Sequence, residues 1–164
     1  MTKLSRKDTP FRWDDDQKCA FRLIKETIAE EPVLAVFDPD KPIFIETDAS
    51  EFALGAILYQ KDENGHLHPI AFLSKKFTDT ESRYPIHDKE LMAIVIACKQ
   101  WRAYLEGANY TITVYSDHKN LTYFLSTKEL NKRQVRWWEK LSSFDLQIVH
   151  TPGKDNARAD ALSR

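Results

Sequence analysis

Short runs of apolar and β-branched residues alternate along the chain with segments whose apolar residues recur every three or four positions. The short runs have the length and composition of β-strands, and they cover residues 43–48, 53–60, 68–75, 110–116 and 146–150. The helical spacing predicts α-helices, which cover residues 14–30, 87–105, 119–125, 131–142 and a short closing segment from Asn156. This order of elements predicts an α/β fold.

The connections between the predicted strands indicate how the strands pair. The first three strands follow one another through short loops such as residues 61–66, which favours an antiparallel meander. The long helix at 87–105 then leads to the next strand, and such crossovers are normally right-handed and parallel. We therefore predict a five-stranded mixed sheet, three antiparallel strands and then parallel ones, with helices on both faces.

Four acidic residues lie beside apolar elements. Asp48 and Asp117 end two predicted strands, and Glu90 begins the long helix. Asp160 lies in the closing segment. Carboxylates in such settings are unfavourable unless something pairs with them, and no equally placed basic partner is evident. Because ligands bind beyond the carboxyl ends of parallel strands, Asp48, Glu90 and Asp117 can meet there, and the set of acids suggests bound Mg²⁺, which prefers oxygen ligands.

Carboxylates around a pair of metal ions suit in-line displacement at a phosphodiester. Asp48 is the best placed of the four to reach both ions. The alternative for any one of these positions is that an Asp at a strand end is a turn residue. The occurrence of all four acids in this order favours the metal site.

Composition limits the other classes of function. The 164 residues suit one domain, and 24 basic against 25 acidic residues leave a net charge of −1. Any nucleic-acid site must therefore be a local patch. Cys19 and Cys98 lie far apart, which favours a reducing compartment. The longest apolar run, residues 91–98, is far shorter than the roughly 20 residues that span a bilayer.

Local phrases around the four acids resemble the ribonuclease H region of gypsy-type LTR retrotransposon polyproteins, and they cover residues 44–50, 84–91, 116–121 and 152–164. Upstream phrases, including Pro10-Phe11-Arg12-Trp13 and Pro32-Val33-Leu34, resemble the stretch that joins reverse transcriptase to that region. The resemblance implies a ribonuclease H-like fold. It also implies a helical joining segment at residues 1–36 and a ribonuclease H domain at residues 37–164.

The resemblance implies a metal-dependent endonuclease that hydrolyses the RNA strand of RNA/DNA hybrids during reverse transcription. It implies two Mg²⁺ ions, for which Mn²⁺ can substitute, with Asp48, Glu90 and Asp117 on one ion. Asp48 and Asp160 would hold the other ion. The implied partners are the hybrid and the polymerase portion of the same polyprotein, without a membrane. The implied location is intracellular, in cytoplasmic virus-like particles, with the nucleus as an alternative.

Four further residues are candidates for contacts with substrate or for proton transfer. His150 precedes a Pro-Gly loop, where relatives carry a His that aids proton transfer or product release; the alternative is a His that ends a strand. His87, Lys119 and Asn120 occupy positions where relatives present polar side chains to the minor groove of the hybrid. A groove reader has to contact RNA 2′-hydroxyls. The alternative for these three is a helix-capping or solvated residue.

A basic segment with two tryptophans comprises Lys128, Lys132, Arg133, Arg136 and Trp137-Trp138. It could contact backbone phosphates, but a helix with a solvated charged face and buried tryptophans is the favoured interpretation. The closing helix is short, and we expect it to pack through residues 157, 161 and 162 and to hold Asp160 loosely.

Two other functions compete with the nuclease. A non-catalytic ribonuclease H-like connection module would gain nothing from four crowded carboxylates. An integrase of the same broad fold typically uses three acids, and it would lack the polymerase-joining phrases found between residues 10 and 40.

Overall fold

The computed structural model describes residues 13–30, 34–126 and 130–164. The described residues fall into two compact units, which are helix α1 (Asp15–Glu30) with the residues before it, and residues 34–164. The joining phrases at residues 10–12 and 32–33, and Lys128 of the basic segment, lie outside the described residues. Within the described ranges, no helix is both long enough and apolar enough to cross a membrane.

One five-stranded sheet organises the unit at residues 34–164, in the order β3-β2-β1-β4-β5. The strands are β1 (Ile43–Ala49), β2 (Ala53–Lys61), β3 (Leu67–Lys76), β4 (Ile112–Ser116) and β5 (Leu146–His150). The first three strands pair antiparallel, whereas β4 runs parallel to both β1 and β5. The predicted mixed sheet is confirmed.

Four α-helices accompany the sheet in the described part of this unit. They are α2 (Ile86–Gln100), α3 (Arg102–Leu105), α4 (Lys132–Leu141) and α5 (Ala157–Ser163). The predicted helix at 87–105 is wrong in one respect, because the backbone of the buried Trp101 leaves the α-helical conformation and separates α2 from α3. The predicted short helix at 119–125 is a 3-10 helix, Lys119–Ser126. Further 3-10 turns cover Glu81–Arg83 and Gly153–Asp155.

The two faces of β2 contact different helices. Leu54, Ala56 and Leu58 join the apolar core that also contains the buried side of α2. Gly55 lies between them and contacts α5. Because successive residues of a strand point to opposite faces of the sheet, α2 and α5 pack on opposite sides. The expectation of helices on both faces is confirmed.

Helix α5 lies directly against β2 because Gly55 has no side chain. A Cβ atom at Gly55 would lie 2.7 Å from Leu162 Cβ and 2.8 Å from Ser163 N. The residues of α5 that become fully buried are therefore Ala159 and Ser163. The expected packing through residues 157 and 161 is wrong, since both are exposed.

Side-chain hydrogen bonds at both ends of α5 hold the closing segment on the sheet. Asn156 Nδ2 donates to Thr47 O at 2.9 Å, ahead of the helix. At the other end of α5, Ser74 Oγ donates to Leu162 O at 2.7 Å and Ser50 Oγ donates to Ser163 O at 2.5 Å. These two hydroxyls satisfy carbonyl groups that a helix end leaves without intrahelical partners.

Replacement of Gly55 by Ala is expected to destabilise the domain by about 1–3 kcal/mol, because the new methyl group overpacks the contact with α5. The backbone of α5 would have to move, and Asp160 would move with it. Urea unfolding measures the loss. Gly153→Ala is the control, since a Cβ there meets its nearest neighbour, Asp117 Oδ2, at 3.4 Å. Equal stability of Gly55→Ala and the unmodified chain would contradict the close packing of α5.

Candidate active site

Three of the four predicted acids converge at the carboxyl ends of β1 and β4. Asp48, Glu90 and Asp117 each offer a carboxylate oxygen, and these oxygens lie within 4.8 Å of one another. Asp48 is the penultimate residue of β1, and Asp117 follows the last residue of β4. The parallel pairing of these strands places both carboxylates at one edge of the sheet. Glu90, in the first half of α2, reaches the same edge from the helix side.

Glu90 carries the most perturbed carboxylate of the group. Its side chain is 3% exposed. Its Oε1 accepts a hydrogen bond from Ala49 N at 3.2 Å, while Oε2 is buried without a hydrogen-bond partner among the described residues. Burial above all, and then the charges of Asp48 and Asp117, raise the pKa of Glu90 to about 9. A buried, charged carboxylate oxygen without a partner is unfavourable, so a cation next to Glu90 would stabilise its ionised form.

Asp48 lies between the acid group and α5. It is 8% exposed, and its Oδ2 accepts a hydrogen bond from the Ser163 hydroxyl at 2.5 Å. Burial is the main cause that raises the pKa of Asp48, and the charges of Asp117 and Asp160 raise it further. The Ser163 hydrogen bond and the charge of Arg164 act in the opposite direction. The charges of two acids on different elements, Asp117 after β4 and Asp160 on α5, therefore act on Asp48.

Asp160 lies near Asp48 but outside the close group of three acids. Its carboxylate is 38% exposed and pairs with Arg164, through Nε to Oδ1 at 3.1 Å and Nη2 to Oδ2 at 2.5 Å. The expectation that the four acids lack a basic partner is therefore wrong for Asp160. The two residues are four positions apart on α5, a spacing that brings side chains together on one helix face.

The acid group fits a hard divalent cation. Three clustered carboxylates repel one another, which is why two of them raise the pKa of Glu90. Mg²⁺ takes oxygen ligands and is commonly bound through one or two protein carboxylates. Asp48, Glu90 and Asp117 together offer such oxygens, and the unpartnered Glu90 Oε2 is one of them.

The predicted substrate contacts lie around the same edge. His150 ends β5 and pairs in register with Ser116, so it lies beside the strand that leads to Asp117. His87 is exposed in the first turn of α2, three residues before Glu90. Lys119 and Asn120 are exposed at the start of the 3-10 helix that follows Asp117.

His118, which follows Asp117 directly, was not among the residues predicted from the sequence to belong to the site. Its ring centroid is 6.5 Å from that of His87. Its Nε2 is buried and has no hydrogen-bond partner among the described residues. Its position directly after Asp117 was the one available signal. Nε2 of His118 is thus a second buried polar atom of this edge without a hydrogen-bond partner in the described ranges.

Arg133 of the basic segment has a mainly structural role. Arg133 Nη2 donates to the buried Asp88 Oδ2 at 2.5 Å, and its guanidinium lies 3.8 Å from the centre of the Tyr84 ring. The contact with Asp88 joins α4 to α2, and the contact with Tyr84 joins α4 to the segment just before α2. Lys132 and Arg136 are exposed, Trp137 is buried and Trp138 is 41% exposed. The favoured interpretation therefore holds for the first tryptophan but not for the second.

Comparison with known proteins extends over the whole chain. The family model described as "RNase H-like domain found in reverse transcriptase" matches residues 38–144. The Transposon Tf2-3 polyprotein of Schizosaccharomyces pombe is 37% identical over 166 aligned positions, which cover 100% of this chain. The chain spans 12% of the length of that polyprotein.

Two solved structures show the same fold at low identity. The protease-reverse transcriptase of prototype foamy virus aligns with a TM-score of 0.61 at 20% identity, over 92% of this chain and 20% of that one. LC11-RNase H1, solved in complex with an RNA/DNA hybrid, aligns with a TM-score of 0.55 at 16% identity, over 73% of this chain and 91% of that one. The predicted ribonuclease H-like fold is confirmed.

The family model covers most of the chain, and the polyprotein relative covers all of it. The resemblance to the ribonuclease H region of a retrotransposon reverse transcriptase is therefore confirmed. This chain belongs to the family of RNase H-like domains found in reverse transcriptases.

Proposed function

We propose that this chain is an endonuclease that hydrolyses the RNA strand of RNA/DNA hybrids with the help of divalent cations. The observation that carries the proposal is the close group of Asp48, Glu90 and Asp117, in which Asp48 and Glu90 are buried and Glu90 Oε2 has no partner among the described residues. A module that served only as a scaffold would bear the cost of this burial without using it.

The four acidic residues form two ligand sets that share Asp48. Asp48, Glu90 and Asp117 would hold one cation, and Asp48 with Asp160 would hold a second. When bound, a pair of Mg²⁺ or Mn²⁺ ions supplies an activated water molecule and stabilises the leaving oxygen of the phosphodiester. The contribution of the protein is then to hold the carboxylates in fixed positions, which strand ends and a packed helix do well.

The substrate assignment rests on the family and on the arrangement of polar side chains. LC11-RNase H1 was solved with an RNA/DNA hybrid. In this chain, His87, Lys119 and Asn120 are exposed around the acid group, and we assign them to the minor groove, where 2′-hydroxyls distinguish RNA from DNA. His150 would assist proton transfer or product release.

The polyprotein relative supports a proposal for the context of the domain. We propose that residues 37–164 form the nuclease and that residues 1–36 join it to the polymerase portion of the same polyprotein. That portion would supply much of the binding energy for the hybrid, because this chain has a net charge of only −1. The place of action would be an intracellular virus-like particle, in the cytoplasm or the nucleus.

A cleavage assay tests the proposal. An RNA/DNA hybrid labelled at the 5′ end of its RNA strand is incubated with the protein and Mg²⁺, Mn²⁺ or EDTA. We expect cutting of the RNA strand with either metal, leaving 3′-hydroxyl and 5′-phosphate ends, and none in EDTA. DNA duplexes and RNA duplexes of the same sequence are the controls. Full cutting in EDTA would refute the metal mechanism, and inactivity in all conditions would favour a connection module.

A further inference from the structure

The oxygens of the two ligand sets differ in what they already contact. In the first set, Glu90 Oε2 is buried and has no hydrogen-bond partner in the described ranges. In the second set, both oxygens of Asp160 contact Arg164. Asp48, which belongs to both sets, has its Oδ2 bound by the Ser163 hydroxyl. Adjacent residues at the end of α5 thus contact both ligands of the second set.

Ser163 and Arg164 differ in how firmly they are held. Ser163 is fully buried, and its carbonyl accepts a hydrogen bond from Ser50 Oγ. The Arg164 side chain is 74% exposed, and its described side-chain contacts are those with Asp160. The charge of Arg164 also lowers the pKa of Asp48, so the guanidinium that contacts Asp160 acts electrostatically on Asp48 as well. It can move away without disturbing the core.

We propose that Arg164 is a built-in counter-cation of the second ligand set, which a divalent ion has to displace before Asp48 and Asp160 can hold it. The proposal rests on the proposed function, since it concerns the same acids. Binding at the second set is then an exchange of one cation for another. The first set has no such counter-cation among the described residues, so a divalent ion can bind there without displacing a side chain. The two sets are therefore expected to differ in affinity.

The size of the effect follows from the nature of the Asp160–Arg164 pair. Exposed ion pairs contribute at most about 1 kcal/mol, so removal of the guanidinium is expected to strengthen binding at the second set up to about fivefold. A loosely held α5 would predict a different result, because loss of the Asp160–Arg164 pair would then loosen the helix and weaken binding. The hydrogen bonds from Ser50 and Ser74 to the last carbonyls of α5 argue against that alternative.

Mn²⁺ titration of the free protein tests the proposal, with heat of binding and the electron paramagnetic resonance signal of free Mn²⁺ as readouts. We expect two unequal binding events in the unmodified chain, and Asp160→Asn identifies the weaker one by removing it. Arg164→Ala should strengthen the weaker event up to about fivefold and change the stronger one less. Arg164→Lys keeps the charge but not the bidentate contact. Its affinity for the weaker event should therefore lie between that of the unmodified chain and that of Arg164→Ala.

Arg158→Ala is the matched control, because it removes the same charge from an exposed position on the same helix. It should leave the ratio of the two affinities unchanged. If Arg164→Ala left the affinity of the weaker event unchanged or lowered it, the proposal would be overturned. An equal effect of Arg158→Ala on that affinity would overturn it as well. Absence of any Mn²⁺ binding would refute the proposed function itself and the inference with it.

Discussion

Asp48→Asn is expected to abolish hydrolysis of the RNA strand while the domain remains folded. Asp48 belongs to both proposed ligand sets, so an amide at this position weakens both at once. Loss of one preorganised electrostatic group commonly lowers kcat by about 10²–10³-fold, and a residue shared by two sets should lie at or beyond the upper end of that range. Single-turnover cleavage of a labelled hybrid in Mg²⁺ measures the loss.

The metal-free stability of the same variant separates a site defect from a folding defect. Because burial and the neighbouring Asp117 and Asp160 raise the pKa of Asp48, removal of its charge relieves repulsion. Urea unfolding in EDTA should therefore show equal or greater stability than the unmodified chain. Asp79→Asn, which removes one charge from an exposed turn, should keep normal turnover. Normal turnover of Asp48→Asn would exclude Asp48 from the site.

Glu90→Gln is expected to stabilise the metal-free domain at neutral and alkaline pH. The pKa of Glu90 is about 9 in the folded protein against an ordinary value of 4.5. Between these two pH values the folded state binds more protons than the unfolded state, so the stability of the unmodified chain falls as pH rises. Each pKa unit corresponds to about 1.4 kcal/mol, so the variant should gain on the order of a few kcal/mol near pH 8.

Urea unfolding in EDTA at pH 5 and at pH 8 tests this expectation. The unmodified chain should be less stable at pH 8 than at pH 5. Glu90→Gln should reduce this difference in stability between the two pH values. Glu63→Gln, on the exposed hairpin loop, should leave it unchanged. Added Mg²⁺ should stabilise the unmodified chain more than Glu90→Gln, because a bound cation offsets the repulsion that the amide has already removed. A pH profile that Glu90→Gln does not alter would show that Glu90 is ionised in the folded protein.

The local pattern of the chain was enough to predict the sheet and the acid group. Hydrophobic runs and loop lengths determine which strands are neighbours, and strand ends determine where Asp48 and Asp117 lie. Glu90 follows from the helical spacing of α2. These predictions succeed because each depends on a single element or on a pair joined by a regular connection.

The parts that the sequence could not predict depend on contacts between distant positions. Ser163 meets Asp48 across 115 positions, and no local pattern indicates that hydrogen bond. The packing of α5 through Ala159 follows from the absence of a side chain at Gly55, on a strand far away in sequence. The Asp160–Arg164 pair has a spacing of four residues, which permits a contact on one helix face, but the spacing alone does not show that the two side chains meet.

The hydrogen bond between Ser163 and Asp48 also bears on the order of events in folding. The contact joins positions 115 apart, so its loop-closure entropy is large until the sheet has brought β1 and β5 together. We expect the sheet and α2 to assemble first and α5 to dock afterwards. A folding intermediate would then hold Asp48, Glu90 and Asp117 together but lack Asp160. Recovery of nuclease activity during refolding should therefore lag behind recovery of the tryptophan fluorescence that reports on the core.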